Sequence, residues 1–390
     1  MPAEDQSAAQ HPVERSPEQW AERMAGWGEP KYRGLQVFRW IHQRGVMDPG
    51  AMSDLPKALR AKLIEDGLAA PVSVDTIRDA LDGTRKLLVA LPDARKIESV
   101  LIPRGAVARE DVYAPHDDGE DEPGAAAAPS TFSQCISTQV GCAMGCAFCA
   151  SGIAGLKRNL TAAEIVSQVL IGKRELPEGS RLAGIVLMGM GEPLHNYAPV
   201  ASALRLISHP EGIGLSLKRV TLSTSGLVAG IEQLGKDFGG AVNLAVSLHA
   251  ATDETRTRIM PVNKRHPLGE LMPALRAYPL PPRRRITIEY TLIDGVNDSQ
   301  ADARALIKLL RGMRVKVNLI PMNRVPDAEM TGSEPARVDA FQDELRRAGL
   351  DAFVRKRKGD DIAAACGQLA LSGEKAKIRR SLTVTRDRNG

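Results

Sequence analysis

The sequence predicts an α/β protein whose main body is a parallel sheet, and three observations carry that prediction. From residue 133 onward, short runs of aliphatic and β-branched residues alternate with stretches whose apolar residues recur at helical spacing. Six strand-like runs are separated by helix-length segments, the layout of a parallel sheet that is either doubly wound or curled into an incomplete barrel. The residues with the most chemical character fall just after these strands, at the end where such sheets place their sites.

Residues 1–17 read as a polar leader, frayed and lacking the basic-then-apolar layout of a signal peptide. A helical accessory domain is expected over 18–75. Trp20, Met24, Tyr32, Leu35, Val37, Phe38 and Ile41 keep helical spacing, and Ser53-Asp54-Leu55-Pro56 opens a further helix through Leu59 and Leu63 with Asp54 as its cap. A β extension follows over 76–104. Strand residues from Val72 to Ile77 meet Arg85–Ala90 across the turn signal Asp82-Gly83, and another strand runs from Lys96 to Pro103. Residues 105–132 have the composition of a flexible acidic insertion, with Asp117-Asp118-Gly119-Glu120-Asp121-Glu122 ahead of an alanine run that cannot build a core.

The core spans 133–358. Ile136–Val140 is expected as a strand feeding a cysteine loop, and Thr161-Ala162-Ala163-Glu164 is a capping box that starts a helix. Further strands are expected at 184–188, 219–223, 242–247, 287–291 and 316–320. Helices should lie between or after them, at 198–208, 228–235, 267–278, 299–311 and 335–348. Residues 359–390 form a C-terminal segment.

The net charge of +5 is small, but its distribution is uneven. Basic runs at Lys218-Arg219, Arg283–Arg285, Arg355–Lys358 and Arg379-Arg380 stand against acid gathered in the insertion, so the remaining body is basic and suits a phosphate-rich partner. Five cysteines, an odd number with three in one loop, do not make a secreted disulfide framework. A cytoplasmic setting, where thiols stay reduced, is the expectation. No eighteen-residue apolar stretch is present, so no membrane-spanning helix is expected.

Cys142, Cys146 and Cys149 are the most informative residues. Their C-x3-C-x2-C spacing brings three thiolates into one short loop with no fourth ligand in register. Structural zinc is normally closed by four ligands; a 4Fe–4S cluster held by three thiolates leaves one iron open to a small molecule. After the 184–188 strand comes Gly189-Met190-Gly191-Glu192-Pro193, two glycines that let a ligand approach the backbone and an acid that can accept from an ammonium. Hydroxyl, imidazole and amide groups follow later strands: Ser223, Thr224 and Ser225, then Ser247, Leu248 and His249, then Asn323. Singly these are turn formers; together they suggest one lined pocket. Cys366 lies in a small-residue stretch near the C-terminus and Cys135 just ahead of the loop. Each is either a buried free thiol or a functional one, and Cys135 could be a fourth ligand.

The stretch Gln134–Cys149, with Met188–Pro193, Arg219–Gly226, Ser247–Ala250 and Val354–Leu369, resembles the RlmN family of the radical S-adenosylmethionine (SAM) superfamily. Tyr32-Arg33 to Trp40-Ile41 and Ile97–Val100 resemble that family's accessory domain, so the resemblance covers roughly 20–370. It implies an incomplete (β/α)6 TIM-like barrel with an N-terminal helical domain and a β-hairpin extension. It also implies methylation of adenine C2 in 23S rRNA, at the peptidyl-transferase centre, and in tRNA, next to the anticodon. Cys142, Cys146 and Cys149 would hold the cluster, and Gly191, Glu192, Ser223, Ser247, Leu248, His249 and Asn323 would bind SAM, two of which serve each turnover. Cys366 would accept a methyl group from one SAM. A second, cleaved to a 5′-deoxyadenosyl radical, would activate that methyl for addition to C2. Cys135 would resolve the resulting protein–RNA adduct by a disulfide with Cys366, and Glu98 would accept the C2 proton. A one-electron donor such as a flavodoxin-type reductase system and a monomeric state are further expectations. Two departures stand out: the acidic insertion is long for the family, and Met322 stands where an aromatic residue is common. The rival readings are a Cfr-type methylase acting at adenine C8 and a non-catalytic iron–sulfur or zinc RNA-binding protein closed by Cys135.

Overall fold

The computed structural model describes residues 10–104, 130–325, 328–355 and 358–369. Residues 1–9, most of the acidic insertion, residues 326–327, Lys356 and Arg357 and the last part of the C-terminal segment, with Arg379-Arg380, lie outside them. Helices α1 (Pro17–Gly26), α2 (Tyr32–His42) and α3 (Lys57–Glu65) form the N-terminal unit. The leader does not extend to residue 17. Val13 is fully buried, the Glu14 carboxylate accepts from the Ala163 amide at 2.9 Å, and Ser16 and Gln19 close a capping box on α1. Asp54 does not cap α3, whose N-cap is Pro56 and which has no side-chain cap. Instead Asp54 accepts from the Trp40 indole at 2.5 Å, a bond that pins the α2–α3 connection.

The sheet begins with the antiparallel strands β1 (Ser73–Asp79), β2 (Arg85–Ala90) and β3 (Lys96–Arg104), and β3 pairs antiparallel with β4 (Thr131–Cys135). From β4 onward all neighbours are parallel: β7 (Arg181–Leu187), β8 (Val220–Thr224), β9 (Asn243–Ser247), β10 (Ile286–Leu292), β11 (Val315–Pro321) and β12 (Ala352–Val354). The order β4-β7-β8-β9-β10-β11-β12 never reverses. A doubly wound sheet needs a reversal, at the point where helices change face; an unreversed run of right-handed crossovers keeps every helix on one side and curls the sheet into part of a barrel. The incomplete barrel is therefore the form adopted.

The connecting helices are α5 (Ala162–Arg174), α6 (Tyr197–Ser208), α7 (Val228–Phe238), α8 (Asp253–Ile259), α9 (Leu268–Ala277), α10 (Gln300–Leu310) and α11 (Pro335–Arg347), with the short α4 (Ala150–Ala154) after the cysteine loop. The period-two alternation of the strands divides the sheet. Leu222, Leu244, Val246, Ile288, Tyr290, Val317 and Leu319 are buried on the helix-covered face, where Tyr290 meets Phe341 of α11 with ring centroids 5.2 Å apart. The concave face carries Thr221, Ser223, Ser247, Glu289, Thr291 and Asn318, brought level by the register of neighbouring strands. That polar interior is what a binding cleft needs.

The main-sheet strand ahead of the cysteine loop ends at Cys135, earlier than expected. Ile136, Thr138 and Val140 have strand-like composition, but the Ser137 amide and carbonyl bond the Gln168 side chain of α5, each at 2.9 Å. The chain leaves the sheet there, and Gln139-Val140 (β5) pairs with Arg158-Asn159 (β6) in a separate two-stranded ribbon. Among the described residues no helix is long and apolar enough to cross a membrane.

Candidate active site

The β5–β6 ribbon is the frame of the cysteine loop. Gly141 follows it with φ +76°, and a Cβ placed there would lie 1.9 Å from the Gly155 carbonyl oxygen, so only glycine fits this crossing. The loop and the ends of the parallel strands enclose a cleft of about 920 Å³, its open mouth included. Cys142, Cys146 and Cys149 line it, and so do Gly191, Glu192, Ser223, Ser247, His249, Asn323 and Cys366. Leu248 is fully buried and not on the cleft wall; its amide donates to the Glu289 carbonyl at 3.1 Å and its carbonyl accepts from Arg256 at 3.2 Å. Cys135 and Glu98 are buried beside the cleft rather than lining it.

The three loop thiols sit in a poor place for bare thiolates. Burial pushes Cys142 up to about 12 and raises Cys146 and Cys149 as well, and the charges of the neighbouring loop cysteines raise all but Cys149 further, on which Cys366 acts instead. Such thiols ionise readily only when a cation arrives to hold them. Among the described residues no three His, Cys, Asp or Glu groups are gathered tightly enough to grip a single metal ion. The buried Arg256 guanidinium lies near Cys146 and donates to the Ser225 carbonyl at 2.6 Å and to Asn263 at 2.7 Å. Nothing in its helical sequence context had marked this residue.

Glu192 is buried, and both carboxylate oxygens are used: one accepts from the Ser225 amide at 2.7 Å, the other from the Leu194 amide at 3.1 Å. Burial raises its pKa while those donors pull it back. Gly191, at φ +108°, has no room for a Cβ, which would stand 2.6 Å from Gln139. His249 accepts from the Thr291 amide through Nδ1 at 2.9 Å, and burial lowers its pKa to about 3. The ring is therefore neutral, with its proton on Nε2. Glu289, missed by the sequence reading because it sits mid-strand in an apolar run, joins the cleft wall and accepts from Asn318 at 3.2 Å.

Cys366 is placed by four bonds from three directions. Its sulfur accepts from Arg355 Nη1 at 2.7 Å, and its carbonyl accepts from Asn323 at 2.9 Å. Next to it, the Gly367 carbonyl accepts from the Ala150 amide at 2.8 Å and the Leu369 carbonyl from Ser151 Oγ at 2.5 Å, which latches this segment to the helix after Cys149. Cys135 answers to Cys366 rather than to the loop cysteines. Burial, then the charge of Cys366, pushes it up to about 12, against the pull of Arg355. Among the basic runs, Arg284 is tied to Asn243 at 2.7 Å and Arg285 pairs with Asp351, so both are occupied within the fold. Met322 packs with Ile259 and Met260 at the cleft.

The chain matches two family models: the ribosomal RNA large subunit methyltransferase N-terminal domain over residues 15–67 and the radical SAM superfamily over 136–307. It is 56% identical to the dual-specificity RNA methyltransferase RlmN of Sorangium cellulosum, across 95% of this chain and 98% of that one. Identity to the probable RlmN of Moorella thermoacetica is 46%, across 91% and 96%. The crystal structure of a radical SAM methyltransferase from Sphaerobacter thermophilus superposes with a TM-score of 0.82 at 40% identity, covering 92% of this chain and 99% of that one. With its loop of three cysteines at the mouth of a part-barrel and its helical N-terminal unit, the chain belongs to the RlmN family of radical SAM methyltransferases.

Proposed function

We infer that the chain is a radical SAM RNA methyltransferase that methylates C2 of adenine in 23S rRNA and in tRNA. C2 is an electron-poor carbon with no usable lone pair, so polar attack on a sulfonium methyl is closed to it, and a cofactor has to supply the difficult chemistry. The observation that carries the reading is the convergence of Cys366 with Cys142, Cys146 and Cys149 on one cleft. A cysteine so far along the chain has no reason to be latched there as a bystander. The rival without catalysis leaves Cys366 unused. It also needs Cys135 as a fourth ligand, whereas the cysteine whose charge acts on Cys135 is Cys366, not one of the loop thiols.

Cys142, Cys146 and Cys149 would hold the 4Fe–4S cluster. A cluster of several irons suits three buried thiols that do not gather around one ion. Bound with SAM, it supplies one-electron cleavage to a 5′-deoxyadenosyl radical. Glu192, its carboxylate fixed by two backbone donors, keeps lone pairs for the SAM ammonium. His249 donates through Nε2, while Gly191, Ser223, Ser247 and Asn323 border the same space. Leu248 serves by holding the turn between Ser247 and His249, since it is closed off from the cleft. Arg355 lies against the Cys366 sulfur that accepts the methyl, and a guanidinium there favours the nucleophilic thiolate. Glu98 accepts the proton that C2 loses when its bond to hydrogen is exchanged for one to carbon. Cys135 then attacks the Cys366 sulfur; the S–S bond forms as the carbon–sulfur bond breaks, and the pair left on carbon takes up a proton to complete the methyl group. Residues 18–75 serve as the RNA-binding accessory domain, with the target base extruded into the cleft. The setting is a monomer in the cytoplasm fed by a one-electron donor of flavodoxin type.

Anaerobically reconstituted enzyme given SAM with a labelled methyl group, a reductant and rRNA should yield 2-methyladenosine. Label at C8 instead would move the chain to the Cfr-type activity, and no label with an intact cluster would overturn the RNA assignment. A second outcome concerns the loop. Gly141→Ala adds about 1–3 kcal/mol of backbone strain before its collision with Gly155 is counted. Iron retained per chain should fall sharply in that variant while the N-terminal unit keeps its helical signal.

A further inference from the structure

The concave face of the β extension carries a buried ion pair to which the motifs gave no role. Lys86 on β2 and Glu98 on β3 are 3.1 Å apart, with 9% and 8% of their side chains exposed. The register explains the meeting. Lys86 stands opposite Val100, Val100 stands opposite Cys135, and period two puts Glu98 on the same face as Val100. Lys86 Nζ also donates to the Ala363 carbonyl at 3.1 Å, three residues before Cys366. The turn of the same hairpin makes two more bonds to this segment: the Gly359 amide donates to Asp82 at 3.0 Å and the Leu81 amide to Asp361 at 3.1 Å.

We propose that Lys86 is a positioning residue for the C2 reaction: its ammonium keeps Glu98 in the charged form and ties that carboxylate to the segment carrying Cys366. A carboxylate buried without a cation takes up a proton and can no longer serve as a base. With Lys86 in place, the C2–H bond breaks with its proton passing to Glu98 and its electron pair staying on the ring; the one-electron acceptor that this step needs would be the iron–sulfur cluster that Cys142, Cys146 and Cys149 would hold. Among the described residues, Glu98 shares its face of the sheet with Lys86 on β2, Cys135 on β4 and, on its own strand, Lys96, which pairs with Asp75; Arg355 and Cys366 of the C-terminal stretch act on Cys135 beside it. Lys86 bonds both the carboxylate and the carrier segment. The inference rests on the reading of Glu98 as the proton acceptor.

Lys86→Gln keeps a donor for the Ala363 carbonyl and removes the charge; Lys86→Arg keeps both. Removing a cation raises the pH at which Glu98 ionises, so less base is present at neutral pH and more as the pH rises. Lys86→Gln should load Cys366 with methyl, read as protein mass without RNA, to within about twofold of wild type. Its RNA methylation should fall about tenfold for each unit by which Glu98 comes to ionise above the assay pH, and recover as the pH is raised. Deuterium at adenine C2 should slow that variant further, because proton removal has become the slow step, and Lys86→Arg should restore most of the rate. Overturning results are a loss equal at every pH with no isotope effect, or a rate matching wild type. Glu98→Gln separates the two readings. If it alone is impaired, Glu98 stands and the role of Lys86 falls; if Lys86→Gln is impaired and Glu98→Gln is not, Glu98 is not the base and the proposal falls with it. Should Lys86→Gln fail to hold iron, the pH profile and isotope effect of Lys86→Arg against wild type decide, an unchanged profile supporting the role of charge and a pH-independent loss refuting it.

Discussion

If Cys366 carries the methyl group, Cys366→Ala should transfer none to RNA, a loss of about 10⁴-fold or more, the scale on which enzymes lose activity with their nucleophile. The same variant keeps its iron and still cleaves SAM when reduced. The separation follows from the layout. The cysteine loop is held by the β5–β6 ribbon and by Gly141, neither of which depends on the Cys366 side chain. The latch between the Cys366 segment and α4 runs through the Gly367 and Leu369 carbonyls, which a change of side chain at 366 does not touch. Protein mass after incubation with SAM should rise by one methyl group in wild type and stay constant in the variant. Methylated RNA from Cys366→Ala would end the carrier role.

If Cys135 resolves the adduct, Cys135→Ala should have an effect as large but of another kind, with the enzyme stalled while joined to its substrate. After incubation with SAM, reductant and RNA, a denaturing gel should show a protein–RNA conjugate that wild type lacks. The electrostatics around Cys135 give the step its timing. Burial and the charge of Cys366 keep Cys135 protonated, while Arg355 acts in the opposite direction. Once the Cys366 sulfur carries carbon it bears no negative charge, one of the two opposing influences is gone, and the pull of Arg355 on Cys135 remains. Loading Cys366 with carbon would therefore ease the ionisation of Cys135, while burial, the larger cause, remains. A Cys135→Ala enzyme that releases methylated RNA at the wild-type rate would remove Cys135 from the reaction.

The residues of the cleft were legible in the sequence to the extent that they follow strands. Ser223 and Ser247 end strand-like runs, Gly191-Glu192, His249 and Asn323 come just after such runs, and the alternation of strands and helices places all these ends together. The choice between a doubly wound sheet and a part-barrel could not be read, because local patterns carry no record of strand order. The end of β4 was misplaced because the Gln168 side chain, distant in sequence, takes the backbone bonds that Ser137 would otherwise spend in the sheet. Arg256 and Glu289 escaped notice for a related reason. A charged residue in a helix or amid an apolar strand reads as solvated, and only the assembled fold buries it. β12 is three residues long, too short to leave a period.

The bonds that seat Cys366 join the last described stretch to parts of the chain made long before it. Asp82 and Lys86 reach across 277 residues, and Ser151 across 218. Chains are synthesised from the amino end, and contacts so far apart in sequence form late. The extension and the cysteine loop can therefore take shape on the ribosome while the carrier is still unmade. Order of synthesis becomes order of assembly, with the methyl carrier fitted last.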